Sequence, residues 1–399
     1  MKATGIVVEY NPFHNGHLHH AEKARELSGA DTVIAVMSGQ FLQRGEPAFV
    51  DKWTRTRMAL ASGVDLVIEL PYGYATAQAA EFAKGAITLL DALNCSSFCF
   101  GSEQGEIVPF LNTLDLLTDQ RELYEQEIRR FVQSGISYPK ALNEAYRSLL
   151  PSQTAFADLT QPNNILGFHY IEAARILGSA IQPLTISRLG AGYHDPIVSG
   201  VPIASATGIR QAISEGSAIS EMVDFLPAAS VEEMHHFLSE HHTFGSWDLF
   251  YPLLRAAILR DRPSRLSAYA EVTEGIENLL YEAAKNAAGF SDFMQHAKSK
   301  RYTWTRIQRM LTHIYTGFTW EQLKAFDRPE YIRILGMTHT GRQYLNSQKK
   351  EAKLPLISRA ADLPGEMGAF DLHASYMYLL GLGASDVRKE FIVPPIYAG

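Results

Sequence analysis

"GIVVEYNPFHNGHLHHAEKAREL" fills residues 5–27 and places four of the chain's 14 histidines, His14, His17, His19 and His20, within seven positions. The apolar run up to Glu9 reads as a strand. "YNPFHNG" reads as a turn, and the segment from Gly16 reads as a helix ending near Gly29. Open α/β sheets bind ligands beyond the carboxyl ends of their strands. A helix N-terminus in that place offers N–H groups and partial positive charge to an anion, and Gly16 lets the anion approach the backbone. His14 and His17, three apart on one side of the turn, are the candidate phosphate ligands. Zinc is the competing reading, with His20 as a third ligand. Structural zinc sites take four protein ligands and catalytic ones three, and neither a Cys pair nor HExxH accompanies these histidines, so no metal is assigned. His19 and His20 read as solvated helix residues.

The same alternation continues outward. Strands are expected at 31–39, 64–71, 96–103 and 181–190, and helices at 50–63, 75–93, 106–150, 161–178 and 205–213. Apolar β-branched runs separated by helices imply a parallel sheet covered on both faces, with right-handed crossovers. The expected fold class is α/β, a doubly wound, Rossmann-like domain. After about residue 225 the strand signals thin out, and 230–241, 248–260, 272–288, 301–315, 319–325 and 369–380 have helical spacing. Since 399 residues exceed one ordinary core, two domains are expected: 1–225 as the ligand-binding catalytic domain and 226–399 as a mainly α-helical one.

With 46% hydrophobic and 20% charged residues the chain has globular composition, and its net charge of −7 excludes a globally basic nucleic-acid binder. Any RNA surface must be local. The candidate is "KSKRYTWTRIQRM", where Lys298, Lys300, Arg301, Arg306 and Arg309 interleave with Tyr302 and Trp304. Cations meet backbone phosphate there and aromatics stack on splayed bases. Arg342, Lys349, Lys350 and Lys353 form a second basic run. The alternative for both is a helix with a charged outer face. Two cysteines, Cys95 and Cys99, cannot build a four-sulfur zinc site, and a disulfide is not expected. No apolar run reaches the ~18 residues of a membrane span, and the start lacks a signal-peptide pattern, so a cytoplasmic protein is expected.

"HNGH" matches the HxGH signature of the nucleotidylyltransferase α/β-phosphodiesterase superfamily, and "SATGIR" (205–210) stands where that superfamily's late Ser/Thr…Ile-Arg signature is found. "VMSGQFLQRGEPAFVDKWTRTRMAL", "GVDLVIELP", "FGSE", "QPNNILG", "KRYTWTRIQRMLTHIYTG" and "RILGMTHTGRQYL" extend the likeness over nearly the whole chain, which resembles the tRNA(Met) cytidine acetate ligase family. That resemblance implies ATP-dependent activation of acetate to acetyl adenylate, then acetyl transfer to N4 of the wobble cytidine of elongator tRNA(Met). His14 and His17 would be catalytic. ATP would contact Val7, Val8, Glu9, Tyr10, Asn11, Pro12, Phe13, His14, Asn15, Gly16, His17, Leu18, His19 and His20, together with Gly101, Asn163, Arg188, Leu189, Ser205 and Arg210. Mg²⁺ would accompany ATP, and the basic segment from Lys298 to Arg309 would meet tRNA. Surface ion pairs are the competing explanation for Arg188 and Arg210, and helix capping for Asn163, with Asn164 beside it. The loop 38–53 carries Gln43, Arg44, Glu46 and Lys52, of which Arg44 and Lys52 are expected either to close over phosphate, to meet tRNA, or to be solvated. A small-molecule nucleotidylyltransferase of cofactor synthesis and a non-catalytic RNA- or nucleotide-binding protein are the other functions considered.

Overall fold

A computed structural model describes the chain except residues 137, 152–154, 189–203, 274 and 300. The opening apolar run forms β1 (Ala3–Val8), followed by α1 (Asn15–Ser28). Then come β2 (Thr32–Ser38), α2 (Lys52–Ala61), β3 (Leu66–Leu70), α3 (Ala79–Ala92) and β4 (Ser97–Ser102). After helices over Val108–Asp119, Arg121–Gln133 and Tyr138–Leu149, the chain forms α4 (Pro162–Ile176), β5 (Gln182–Ser187) and α5 (Ala206–Ser214). These five strands are parallel in the order β5-β4-β1-β2-β3. All seven residues of β2 are buried, so both faces of the sheet are covered, as its continuous apolar run requires. Strand order reverses at β1, which lies between β4 and β2. The ends of β1 and β4 therefore border the crevice where such sheets bind ligands.

The second half is mainly helical through residues 226–331, and beyond that helices such as Gly365–Gly381 alternate with strands. β6 (Ile332–Thr338) joins the same sheet antiparallel to β3, and β7 (Leu356–Ile357) and β8 (Ile396–Ala398) pair with β6. Reading 226–399 as mainly helical leaves these strands out. "YIRILG" has the composition of a buried strand, but β7 and β8 hold only two and three residues, and three strands spread over 67 residues make a weak periodic signal. Buried apolar residues from Ala3 to Leu382 form one cluster among the described residues.

Charge also ties the C-terminal segment to the sheet. Lys52, on α2, is buried between Glu69 of β3 (2.7 Å) and Glu390 (2.6 Å), and Glu390 lies 3.7 Å from the buried guanidinium of Arg333 on β6. Lys52 thus neutralises interior carboxylates, which removes it from the residues expected to meet phosphate or tRNA.

One turn further along α2, Arg55 is fully buried and makes no ion pair among the described residues. Its Nη1 donates to the carbonyls of Glu9 (2.8 Å) and Ser38 (2.9 Å), its Nε to Val50 (3.1 Å), and its Nη2 to Gly39. The carboxyl ends of β1 and β2, and both ends of the loop that follows β2, are thereby bound to one planar group. Removing it leaves buried carbonyls without donors. Arg55→Met is expected to lower stability by at least ~3 kcal/mol in urea denaturation. A loss below ~1 kcal/mol would show that this knot is dispensable.

Candidate active site

β1 ends at Val8, and Tyr10 then takes φ 54, a left-handed conformation that a tyrosine holds only where its surroundings impose it. The turn delivers His14 to the N-cap of α1. His14 Nδ1 accepts the Gly16 N–H at 3.0 Å, and His17 Nδ1 accepts the His14 N–H at 3.3 Å. This is a capping box, usually built from Ser or Thr and Glu or Gln, made here from two imidazoles. A ring nitrogen that accepts a hydrogen bond carries no proton, so each neutral ring keeps its proton on Nε2. The rings lie 3.8 Å apart by centroid. Burial, then the Arg188 and Arg210 charges, holds His14 down at about 3, and burial with the neighbouring histidines lowers His17 well below the ordinary 6.5. Both are therefore neutral N–H donors at pH 7, not cations.

The backbone N–H groups at this helix start are not open to an anion. Asn15 N–H bonds to Phe225 O (3.0 Å), and those of His17 and Leu18 both reach His14 O (2.8 and 3.1 Å). With Gly16 committed to the His14 ring, the expected phosphate cradle of backbone amides is already spent on capping and packing. Anion-binding capacity passes to the imidazoles, the arginines and the helix dipole.

A cleft of about 240 Å³ opens above this turn. Of the first-stretch candidates it is lined by Val7, Val8, Glu9, Tyr10, Asn11, His14, Gly16, His17, His19 and His20. Pro12, Phe13, Asn15 and Leu18 do not line it: Pro12 and Phe13 are buried, Leu18 packs on the core, and the Asn15 side chain donates to Asp224 O at 2.9 Å. His20 is not solvated. It is half-buried, its Nε2 lies 3.0 Å from Cys99 O, and burial holds it down at about 4.

The far partners converge as expected. Gly101, Asn163, Arg188, Ser205 and Arg210 all line the cleft, while Leu189 lies outside the described residues. A Cβ on Gly101 would stand 3.2 Å from Arg188 Cγ, so the glycine leaves room for that side chain to cross. Arg188 Nη1 donates to Asn163 Oδ1 (3.0 Å). Arg210 donates to Asn11 O (2.8 Å) and lies 3.4 Å from Glu46. Ser205 caps α5, its Oγ accepting the Gly208 N–H at 3.0 Å. The two asparagines separate: Asn163 faces the cleft, while Asn164 is buried and bound to Glu103 N–H and Asp158 O, each at 3.1 Å.

Glu103 was missed as a positioning residue. Its carboxylate accepts the N–H groups of Asn163 (3.4 Å) and Asn164 (3.0 Å) and caps α4. The acidic residue of "FGSE", directly after a strand, was the available signal. The apolar wall of Phe82, Phe100, Leu166, Tyr170 and Ile186 was missed as well, because those residues read as ordinary core. In the loop after β2, Arg44 and Glu46 line the cleft, and Gln43 N–H donates to Glu9 Oε1 at 2.7 Å.

The basic segment divides. Lys298 and Arg301 are exposed and Trp304 is 42% exposed, at the start of α6 (Trp304–Thr316). Arg306 is half-buried over the Tyr302 ring. Tyr302 and Arg309 do not belong to an RNA-facing surface. Tyr302 is buried with its hydroxyl on Thr273 O (3.0 Å), and Arg309 is buried in a two-pronged pair with Glu271 (2.9 and 2.8 Å). Lys300 lies outside the described residues. In the second run, Lys353 is paired with Asp91 at 2.7 Å. The loop joins this region to the cleft. Gly45, at φ 76, rests against the Gln308–Arg309 backbone so closely that a Cβ would stand 2.3 Å from Arg309 N.

The chain matches the HIGH Nucleotidyl Transferase family over residues 1–390. It is 55% identical to a tRNA(Met) cytidine acetate ligase of Lysinibacillus sphaericus, over 99% of this chain and 100% of that protein. It is 42% identical to the Bacillus subtilis protein of the same name, over 98% and 95%. The crystal structure of Thermotoga maritima TmcAL bound with alpha-thio ATP superposes with a TM-score of 0.88 at 33% identity, covering 100% of this chain and 99% of that one.

The depressed histidines make a pH prediction. Unfolded histidine binds a proton near 6.5, whereas folded His14 does so only at about 3. As pH falls below about 6.5 the unfolded state takes up protons the folded state refuses. Stability should then drop by up to ~1.4 kcal/mol per pH unit for each such histidine. ¹⁵N NMR should show His14 as the neutral Nε2–H form at pH 5.5. A midpoint near 6.5 for His14 contradicts the capping-box assignment.

Proposed function

The chain belongs to the HIGH nucleotidyl transferase family and, within it, to the tRNA(Met) cytidine acetate ligases, and from that premise we propose the following reaction for its cleft. An acetate oxygen attacks the α-phosphorus of ATP, the bond to pyrophosphate breaks, and acetyl adenylate remains. N4 of the wobble cytidine then attacks the acetyl carbonyl, the bond to phosphate breaks, AMP leaves, and N4 gives up a proton.

The observation that carries this reading is the pair of neutral imidazoles at the switch point, with both Nε2–H groups free of the capping interactions and two arginines across the cleft. The first step needs charge stabilisation and alignment more than covalent help. His14 and His17 donate to the α-phosphate as its charge grows, Arg188 and Arg210 neutralise the triphosphate, and the apolar wall takes the adenine. Ser205, spent on its cap, shapes the helix start that holds Arg210. Mg²⁺ enters with ATP as part of the substrate, held by phosphate oxygens; among the described residues no three acidic, His or Cys side chains converge to hold a metal. In this proposal residues 1–225 carry the chemistry and 226–399 the tRNA, with Lys298, Arg301, Trp304 and Arg306 facing the nucleic acid. No helix among the described residues is long and apolar enough to cross a membrane, and the reading places the enzyme in the cytoplasm with its tRNA.

Acetate-dependent exchange of pyrophosphate into ATP tests the first step. His14→Ala and His17→Ala should each cut it about 100-fold or more. Undiminished exchange in either variant removes the imidazoles from the mechanism. In the same preparations, Arg301→Glu with Arg306→Glu should raise the tRNA concentration for half-maximal acetylation about tenfold or more. An unchanged tRNA requirement would move the RNA surface elsewhere.

A further inference from the structure

Glu9 is a titratable group inside the cleft that the steps above do not use. It stands at the carboxyl end of β1, partly exposed to the cleft, with its backbone carbonyl held by Arg55 at 2.8 Å. Among the described residues its carboxylate makes one hydrogen bond, from Gln43 N–H to Oε1 at 2.7 Å, and no ion pair. A half-buried carboxylate held by a single hydrogen bond is costly to keep at that place and calls for a use. Holding phosphate is not that reason, since a carboxylate repels a triphosphate. The Gln43 bond alone would be served by an amide.

We propose that Glu9 is the general base that takes the N4 proton of cytidine during acetyl transfer, a proposal that rests on the function given above. The N4–C bond forms at the acetyl carbonyl, the acyl–oxygen bond to phosphate breaks with its electron pair leaving on AMP, and the N4 proton passes to Glu9 Oε2. Four elements face this carboxylate: the loop with Gln43, Arg44 and Glu46, α5 with Arg210, α4 with Tyr170, and α2 with Arg55. Burial, and secondarily the Glu46 charge, push its pKa up against the Gln43 bond and the two arginines. A carboxylate raised toward neutrality is a better base than an ordinary one. The loop holding Oε1 is also the loop whose Gly45 rests on α6, beside the basic surface that receives tRNA in this reading. The base and the entering nucleotide are thus aligned by one segment.

The test supplies chemically made acetyl adenylate and tRNA(Met) without ATP, so that only the second step is read, in single turnover between pH 5 and 8.5. Glu9→Gln keeps the acceptor for Gln43 N–H and should keep the melting temperature. The wild-type rate is expected to rise with pH to a plateau as Glu9 ionises. The glutamine variant should be slower by about 100-fold at the plateau and lose that rise. Glu9→Asp, with a carboxylate set back by one carbon, should retain the rise at a reduced rate. Wild-type rates and an intact pH profile in Glu9→Gln overturn the proposal and leave Glu9 a loop anchor. A glutamine variant whose slow rate still rises with pH as the wild type's does overturns it too. A wild-type protein that transfers no acetyl group from the supplied adenylate overturns the proposed function itself, a different failure.

Discussion

A single guanidinium, out of reach of water, organises the catalytic end of this molecule. Arg55 gives four of its five N–H groups to the carbonyls of Glu9, Ser38, Gly39 and Val50. The first two belong to the ends of adjacent parallel strands, and the last two bracket the loop that follows. No backbone donor can satisfy carbonyls that diverge from a sheet end, and no lysine can reach four of them at once. The loop so fixed forms a wall of the cleft, hands an N–H to Glu9, and lies against the helix that carries the basic surface. Sheet, nucleotide site and helical half are therefore coupled through one side chain.

The second constraint is protonation. A pair of imidazolium ions would grip the ground-state triphosphate as firmly as the transition state, which lowers KM without raising kcat. The capping box prevents this. Each Nδ1 is consumed by a backbone N–H, and burial beside Arg188 and Arg210 keeps the rings uncharged. In the proposed reaction, what remains is a pair of fixed dipoles whose interaction would grow as charge develops on the α-phosphate oxygens, in a setting that needs no reorganisation when the reaction occurs. The HxGH spacing follows from helix geometry: N-cap and third residue are the two positions whose side chains reach back to the first turn.

Much of this was legible in the chain, and the parts that were not have physical causes. The five parallel strands follow from apolar runs such as "DTVIAVMSG", which only a doubly covered sheet accommodates. The pairing of His14 and His17 was readable from the strand–turn–helix context, while Asn163, Arg188 and Arg210, which line the same cleft, were expected from the family resemblance. β6 to β8 were not, because they lie far apart in sequence among helices, and β7 and β8 are only two and three residues long. Lys52, Arg309 and Tyr302 looked like surface residues by type. Their burial depends on Glu69, Glu390, Glu271 and Thr273, which arrive from distant parts of the chain. The assumption that a helix N-terminus keeps its amides for a ligand failed because two histidine rings and the Phe225 and His14 carbonyls engage them first.

The central claim is that the histidine turn directs an acetate oxygen to the innermost phosphorus of ATP. Turnover with ¹⁸O-labelled acetate and tRNA(Met), followed by mass spectrometry of the small products, reads this directly. One acetate-derived ¹⁸O in the released AMP and none in pyrophosphate is the predicted result. Label in pyrophosphate or inorganic phosphate would place the attack at an outer phosphorus and contradict the account.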